Sequence, residues 1–118
     1  MSDPLPLYRY KGKVLRVIDG DTLEVLIDLG FYTFKKAKIR LKGINAPEIF
    51  HPKSKEERKK GLEAKKFLSS LFKDSNEVYL RVYKKGKYGR WIVDLLLKDG
   101  TLINDLLVER GYASRIED

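Results

Sequence analysis

Nine consecutive residues, Arg40-Leu41-Lys42-Gly43-Ile44-Asn45-Ala46-Pro47-Glu48, bring an arginine, an amide and a carboxylate into one short stretch. A guanidinium grips anionic oxygens through a planar fork that lysine lacks, and a carboxylate can take a proton from a nucleophile. These types suit chemistry on an anionic group. Ile39 and Leu41 alternate with Lys38, Arg40 and Lys42, the two-residue period of a half-buried strand, so Arg40 is expected on the polar face. Gly43 and Pro47 then break the ladder, and the loop they make would hold Asn45 and Glu48 near the strand's end. Taken alone, the same residues equally fit a charged strand followed by an ordinary turn.

The elements that must position these groups come from the rest of the chain. Its 118 residues match one domain with a single core. Twenty-five Lys plus Arg against 17 Asp plus Glu leave a formal charge of +8, a field that attracts polyanions, nucleic acid first among them. Solubility or adaptation to heat would also account for so many lysines and glutamates. With no cysteine and one histidine, disulfides, thiolate metal sites and multi-histidine zinc chemistry are excluded. No apolar run is long enough to span a bilayer, and the start MSDPLPLYRY lacks the basic and apolar regions of a signal peptide. A cytoplasmic monomer is expected as the chain is written, with secretion requiring a leader already removed.

In chain order, residues 1–7 carry two prolines and are expected to form a flexible arm. Tyr8 to Ile18 reads as a long strand with a bend or bulge at Gly12, and Asp19-Gly20-Asp21 as a tight hairpin turn. Leu23, Val25 and Ile27 alternate inward along a second strand, Thr22 to Asp28, and Ala37, Ile39 and Leu41 along a third, Thr33 to Gly43. Ser54-Lys55-Glu56-Glu57 fits a capping box, followed by Ala64, Phe67, Leu68, Leu71 and Phe72 as a helical stripe. Val78, Leu80 and Val82 mark a fourth strand; Trp91, Val93, Leu95 and Leu97 mark one face of a fifth, Arg90 to Lys98. Ile103, Leu106 and Leu107 give a short C-terminal helix stopped by Gly111. A five-stranded Greek-key β-barrel with a helix between strands three and four is the OB-fold, a frequent host of oligonucleotides.

Four segments in order carry a more specific signal: Val17-Ile18-Asp19-Gly20-Asp21-Thr22, Arg40 to Glu48, Lys87-Tyr88-Gly89-Arg90, and Leu102 to Ala113. By motif and spacing, over roughly residues 8–115, the chain resembles the staphylococcal nuclease-like, or thermonuclease, family. That resemblance implies an OB-fold barrel with a calcium-dependent phosphodiesterase site, magnesium or manganese being possible substitutes, that cuts DNA and RNA with little sequence preference. It implies Arg40 and Arg90 as clamps on the phosphoryl oxygens and Glu48 as the residue that orients or deprotonates the attacking water. It also implies Asp21 as the anionic metal ligand, with Asn45, the Ala46 carbonyl and Glu48 completing the set and Asp19 in the outer sphere. Lys87 and Tyr88 would hold single-stranded or locally melted substrate.

Each residue has a plainer role open to it. Asp19 and Asp21 fit a hairpin turn, Arg90 a strand-start charge, and Lys84, Lys85, Lys87 and Tyr88 a solvated turn; His51 is expected exposed and Trp91 at the core or rim. Two departures from the family bear on the metal: Asn45 stands where aspartate is common, removing a charge, and Ala46 where threonine is frequent. The alternative function is a catalytically weak or inactive nucleic-acid-binding barrel. Arg40, Glu48 and Arg90 together favour the enzyme, because a binding module has no use for a carboxylate beside a phosphate.

Overall fold

The computed structural model describes residues 8–117, so the arm expected over residues 1–7 lies outside the described residues. Five strands close a barrel in the order β1-β2-β3-β6-β5: β1 (Arg9–Asp19), β2 (Thr22–Asp28), β3 (Phe34–Leu41), β5 (Glu77–Lys85) and β6 (Trp91–Leu97). Helix α1 (Lys55–Ser70) falls between the third and fourth barrel strands, as expected for the OB arrangement, and α2 (Ile103–Glu109) follows the last. Two further strands of two residues, β4 (Ile44–Asn45) and β7 (Ser114–Arg115), pair outside the barrel; the sequence pattern does not anticipate them.

The two-residue period places the core where it was expected. Leu23, Val25, Ala37, Ile39, Leu41, Val78, Leu80, Val93 and Leu95 are buried, and Trp91 and Leu97 pack half-buried against them at the rim. A fully buried Leu or Ile contributes about 1.5–3 kcal/mol, so this interior far outweighs any surface ion pair. Gly12 departs from the expectation: the β1–β2 register runs unbroken through it, and the irregularities fall between Val14 and Arg16 and between Val17 and Asp19. Gly12 is small because a Cβ there would lie 2.8 Å from Val25 Cγ1 and 2.9 Å from Leu80 Cδ1, inside the barrel.

Local signals start and stop the helices. Ser54 caps α1, its Oγ accepting from the Glu57 N–H at 3.1 Å, while Glu57 reaches one residue further back than a standard capping box, to the Lys53 N–H at 2.9 Å. Gly111, at φ 80°, ends α2. There the Gly111 N–H donates to the Val108 carbonyl and the Tyr112 N–H to that of Leu107, the paired bonds of a Schellman turn. Tyr112 then stacks on Phe67 of α1, with ring centroids 4.4 Å apart.

Barrel closure is the weakest seam, since β3 and β6 run parallel over only three residue pairs, Ile39–Trp91, Arg40–Ile92 and Leu41–Val93. Asn104 of α2, only 3 % exposed, staples it: Oδ1 accepts from the Leu95 N–H, and Nδ2 donates to the Lys42 and Val93 carbonyls at 2.9 and 3.1 Å. Leaving buried backbone groups unpaired costs about 1–3 kcal/mol each. Asn104→Ala is therefore expected to lose about 3 kcal/mol or more in a urea titration, and a loss within about 0.5 kcal/mol would mean that water replaces the staple.

Candidate functional site

Asp21 sits in the two-residue turn between the paired Asp19 and Thr22, so the expected hairpin is present. Its glycine serves packing instead of backbone conformation. Gly20 lies outside the left-handed region, and a Cβ on it would stand 2.7 Å from Ala46 Cβ and 2.8 Å from Ala64 Cβ. This contact brings the β1–β2 turn, the loop after β4 and helix α1 together. Asp21 is then buried, with Oδ2 accepting from the Ala46 N–H at 2.8 Å and Oδ1 from the Thr22 hydroxyl at 3.0 Å. Asp19 Oδ1 accepts from the Asp21 N–H at 3.0 Å.

Arg40 closes the cluster. Its Nη1 lies 3.3 Å from Asp21 Oδ2 and donates to the Leu41 carbonyl, while Nη2 donates to Asn45 Oδ1 at 3.2 Å. The strand does put Arg40 on the outer face, but that face is covered here: the Arg40 and Asp21 side chains are 14 % and 10 % exposed. Asn45 is held by β4, whose partner β7 is delivered by the turn after Gly111.

Glu48 is exposed two residues beyond Ala46, between the buried Ala46 and Ile49. Its backbone is set by α1, because a Cβ at Gly61 would come within 2.7 Å of the Pro47 carbonyl oxygen and 3.2 Å of that of Glu48. Glu48 lines a groove of about 530 Å³ together with Asn45, Glu56, Glu57, Tyr112 and Ser114; Asp21, Arg40 and Arg90 do not line it.

Arg90 precedes β6, two residues before Ile92, the parallel partner of Arg40. Val93 and Leu95 point inward, so Arg90 shares the outer face of the seam with Arg40 at a diagonal position. Its Nε donates to the Lys87 carbonyl, and its guanidinium lies 5.5 Å from the centre of the Tyr88 ring. Tyr88 is 89 % exposed at φ 61°, and Lys87 is exposed beside it. Two subsets therefore form: Asp19, Asp21, Arg40, Asn45 and Ala46 joined by hydrogen bonds, and Lys87, Tyr88 and Arg90 on the β5–β6 hairpin. His51 is exposed. From the sequence Gly20 reads only as a turn residue and Thr22 only as a strand start, while Gly61 and Asn104 have no role of their own, although Asn104 lies next to Ile103 and three residues before Leu107, on the apolar face of its helix.

Among the described residues no three His, Cys, Asp or Glu side chains are grouped to hold a metal ion. The oxygens nevertheless suit a hard cation of low ligand charge. Asp21 Oδ2 and Asn45 Oδ1 both face one positive group, the Arg40 guanidinium.

A family model described as staphylococcal nuclease homologue matches residues 38–118. The chain is 32 % identical over 110 residues to Endonuclease YhcR of Bacillus subtilis (strain 168), covering 88 % of this chain and 9 % of that protein. An uncharacterized endonuclease of Escherichia coli O157:H7 is 30 % identical over 102 residues, 86 % of this chain and 58 % of its own length. The uncharacterized protein MJ1439 of Methanocaldococcus jannaschii is 28 % identical over 125 residues, again with 58 % of its length covered. The chain thus spans less than two thirds of each of these relatives. No helix among the described residues is long and apolar enough to cross a membrane.

Burial, then the neighbouring Asp19 carboxyl, pushes the Asp21 carboxyl up from 3.8 to about 7, against the opposing pull of Arg40 and the Ala46 N–H. With the folded value raised, the native state keeps a proton that the unfolded chain releases above about 3.8, so stability falls as pH rises from there to about 7 and is level beyond. Asp21→Asn, which cannot ionise, is expected to raise the urea midpoint at pH 8 and change it little at pH 4. An equal shift at both pH values would assign the effect to packing instead of charge.

Proposed function

The chain belongs to the staphylococcal nuclease homologue family, and on that premise we propose that it is a metal-dependent nuclease hydrolysing phosphodiester bonds of DNA and RNA with little sequence preference. The observation that carries this reading is the placement of Arg40 and Arg90 on one outer face of the β3–β6 seam. Water attacking phosphorus drives negative charge onto the phosphoryl oxygens, and two preorganised guanidiniums stabilise that charge more in the transition state than in the ground state. Glu48, exposed on a loop that α1 holds in place, takes the proton of the attacking water. Arg40 leaves Asp21 and Asn45 for the phosphoryl oxygens as the substrate arrives. Lys87 neutralises a flanking phosphate, and Tyr88 offers a face for a sugar or base.

The residues that would hold the ion are Asp21, Asn45, the Ala46 carbonyl and Glu48, with Asp19 in the outer sphere. An all-oxygen set suits calcium, with magnesium or manganese as substitutes. When bound, such an ion polarises a phosphoryl oxygen and acidifies its water. Asn45 in place of a carboxylate leaves the site short of charge, so affinity is set low.

Two measurements test the reading. Arg40→Lys and Arg90→Lys keep the charge but lose the fork, and each is expected to lower turnover of single-stranded DNA about a hundredfold or more while the fold is retained. Near-normal rates would remove that arginine from the chemistry. Asn45→Asp is expected to shift the calcium midpoint of cleavage to lower concentration, and an unchanged midpoint would exclude Asn45 as a ligand. If no divalent ion supports cleavage while salt-sensitive DNA binding persists, the barrel is a binding module.

A further inference from the structure

The β2–β3 hairpin tip combines three features that fold stability alone does not account for. Phe31 and Tyr32 are 100 % and 98 % exposed, and Phe34 and Leu29 beside them are also exposed. Both rings stand on left-handed backbone, φ 55° and 57°, in a turn closed by the Thr33 N–H to the Gly30 carbonyl at 2.9 Å. Such a primed turn, with φ positive at both central residues, favours Asn-Gly, and bulky aromatic residues are among the poorest choices for it. The tip is nonetheless well tied, with Gly30 N–H donating to Asp28 Oδ1 and Leu29 N–H to the Thr33 carbonyl, both at 2.8 Å. Two strained rings are thus held out into water.

The third feature is the strip that joins this tip to Arg40. Along the outer face of β3 stand Phe34, Lys36, Lys38 and Arg40, at intervals of about 6.6 Å and over about 20 Å in all. Lys36 pairs with Glu24, which it shares with Arg16, while Lys35 and Lys38 have no ion pair among the described residues. Because β3 pairs with β6 only from Ile39 onward, the first half of this strand is an open edge. A groove of about 420 Å³ that Phe34 also lines runs from the tip toward β1 and β5 and carries Asp28 and Glu77 as well as Lys11 and Lys13, so its charges cancel. The net positive path is the β3 path.

We propose that the β2–β3 tip is a second anchor for single-stranded nucleic acid, in which Phe31 and Tyr32 stack bases while the β3 lysines carry the backbone from Arg40 to the tip. This rests on the reading of Arg40 and Arg90 as the phosphate site, and it adds a contact remote from them. Stacking on exposed rings is tolerant of sequence, and the span lies within the ~4–16 nucleotides that one OB barrel accommodates. Lysines along the approach favour a polyanionic chain over an apolar protein partner. The same rings could enter an anionic lipid surface, which the test separates.

Phe31→Asn/Tyr32→Gly supplies the residues the turn prefers, so the variant is expected to be as stable as the wild type or more so, while losing both rings. In chelator, its affinity for a labelled thymidine oligonucleotide of about 16 residues should fall about tenfold, measured by anisotropy. Its turnover of a small chromogenic phosphodiester, too short to reach the tip, should stay unchanged. Unaltered oligonucleotide affinity overturns the proposal, and so does wild-type binding to phosphatidylserine vesicles that the variant loses while keeping its DNA affinity. A tenfold affinity loss in proteins that cleave neither substrate with any divalent ion leaves the tip as a binding anchor and removes the nuclease reading alone.

Discussion

Closure of the barrel rests on a parallel seam three residues long, and the side chain of Asn104 makes that seam hold. Three parallel pairs give few hydrogen bonds for the long connection they must close. One carboxamide bonds to three backbone groups across β3 and β6, and the Lys42 N–H adds a bond to the Val93 carbonyl at 2.8 Å. Arg40 lies within this seam and Arg90 immediately before it, so a buried amide on α2 supports the strands that carry two arginines it does not touch. The fold and the candidate site therefore depend on the same bonds.

Around Asp21 the structure accepts an electrostatic conflict. Burial raises the cost of its charge, Asp19 raises it further, and Arg40 answers only part of it. A carboxylate kept for stability alone would be better neutral or exposed. Asp21 Oδ2 and Asn45 Oδ1 both face the same guanidinium, so one arginine ties the buried carboxyl to the amide of β4. Strain elsewhere follows a related pattern, since among the described residues the four non-glycine positions with positive φ, Tyr8, Phe31, Tyr32 and Tyr88, are exposed aromatics in turns or at a strand start.

Much of this was legible in the residues themselves. Alternation in Leu23-Val25-Ile27, Ala37-Ile39-Leu41 and Val78-Leu80 marked three of the barrel strands and their inward faces, because a period of two leaves only one face to bury. Ser54 and Gly111 marked a helix start and a helix stop, since caps satisfy groups within a few residues of themselves. The four motif segments pointed to the family and to the residues worth following.

What the sequence could not decide was which separated segments would touch. Gly12 and Gly20 read as a bulge and a turn, and Gly61 goes unremarked; each is small because another segment's atoms lie under 3 Å from where its Cβ would be. Asn104 reads as a polar residue in a short helix until three backbone partners, up to 62 residues away, surround it. The two-residue strands β4 and β7 are too short to carry a period, so only the return of the chain after Tyr112 reveals them. Periodicity and caps are local and survive in the order of residues, whereas close approach and buried hydrogen bonding exist only once the barrel has closed.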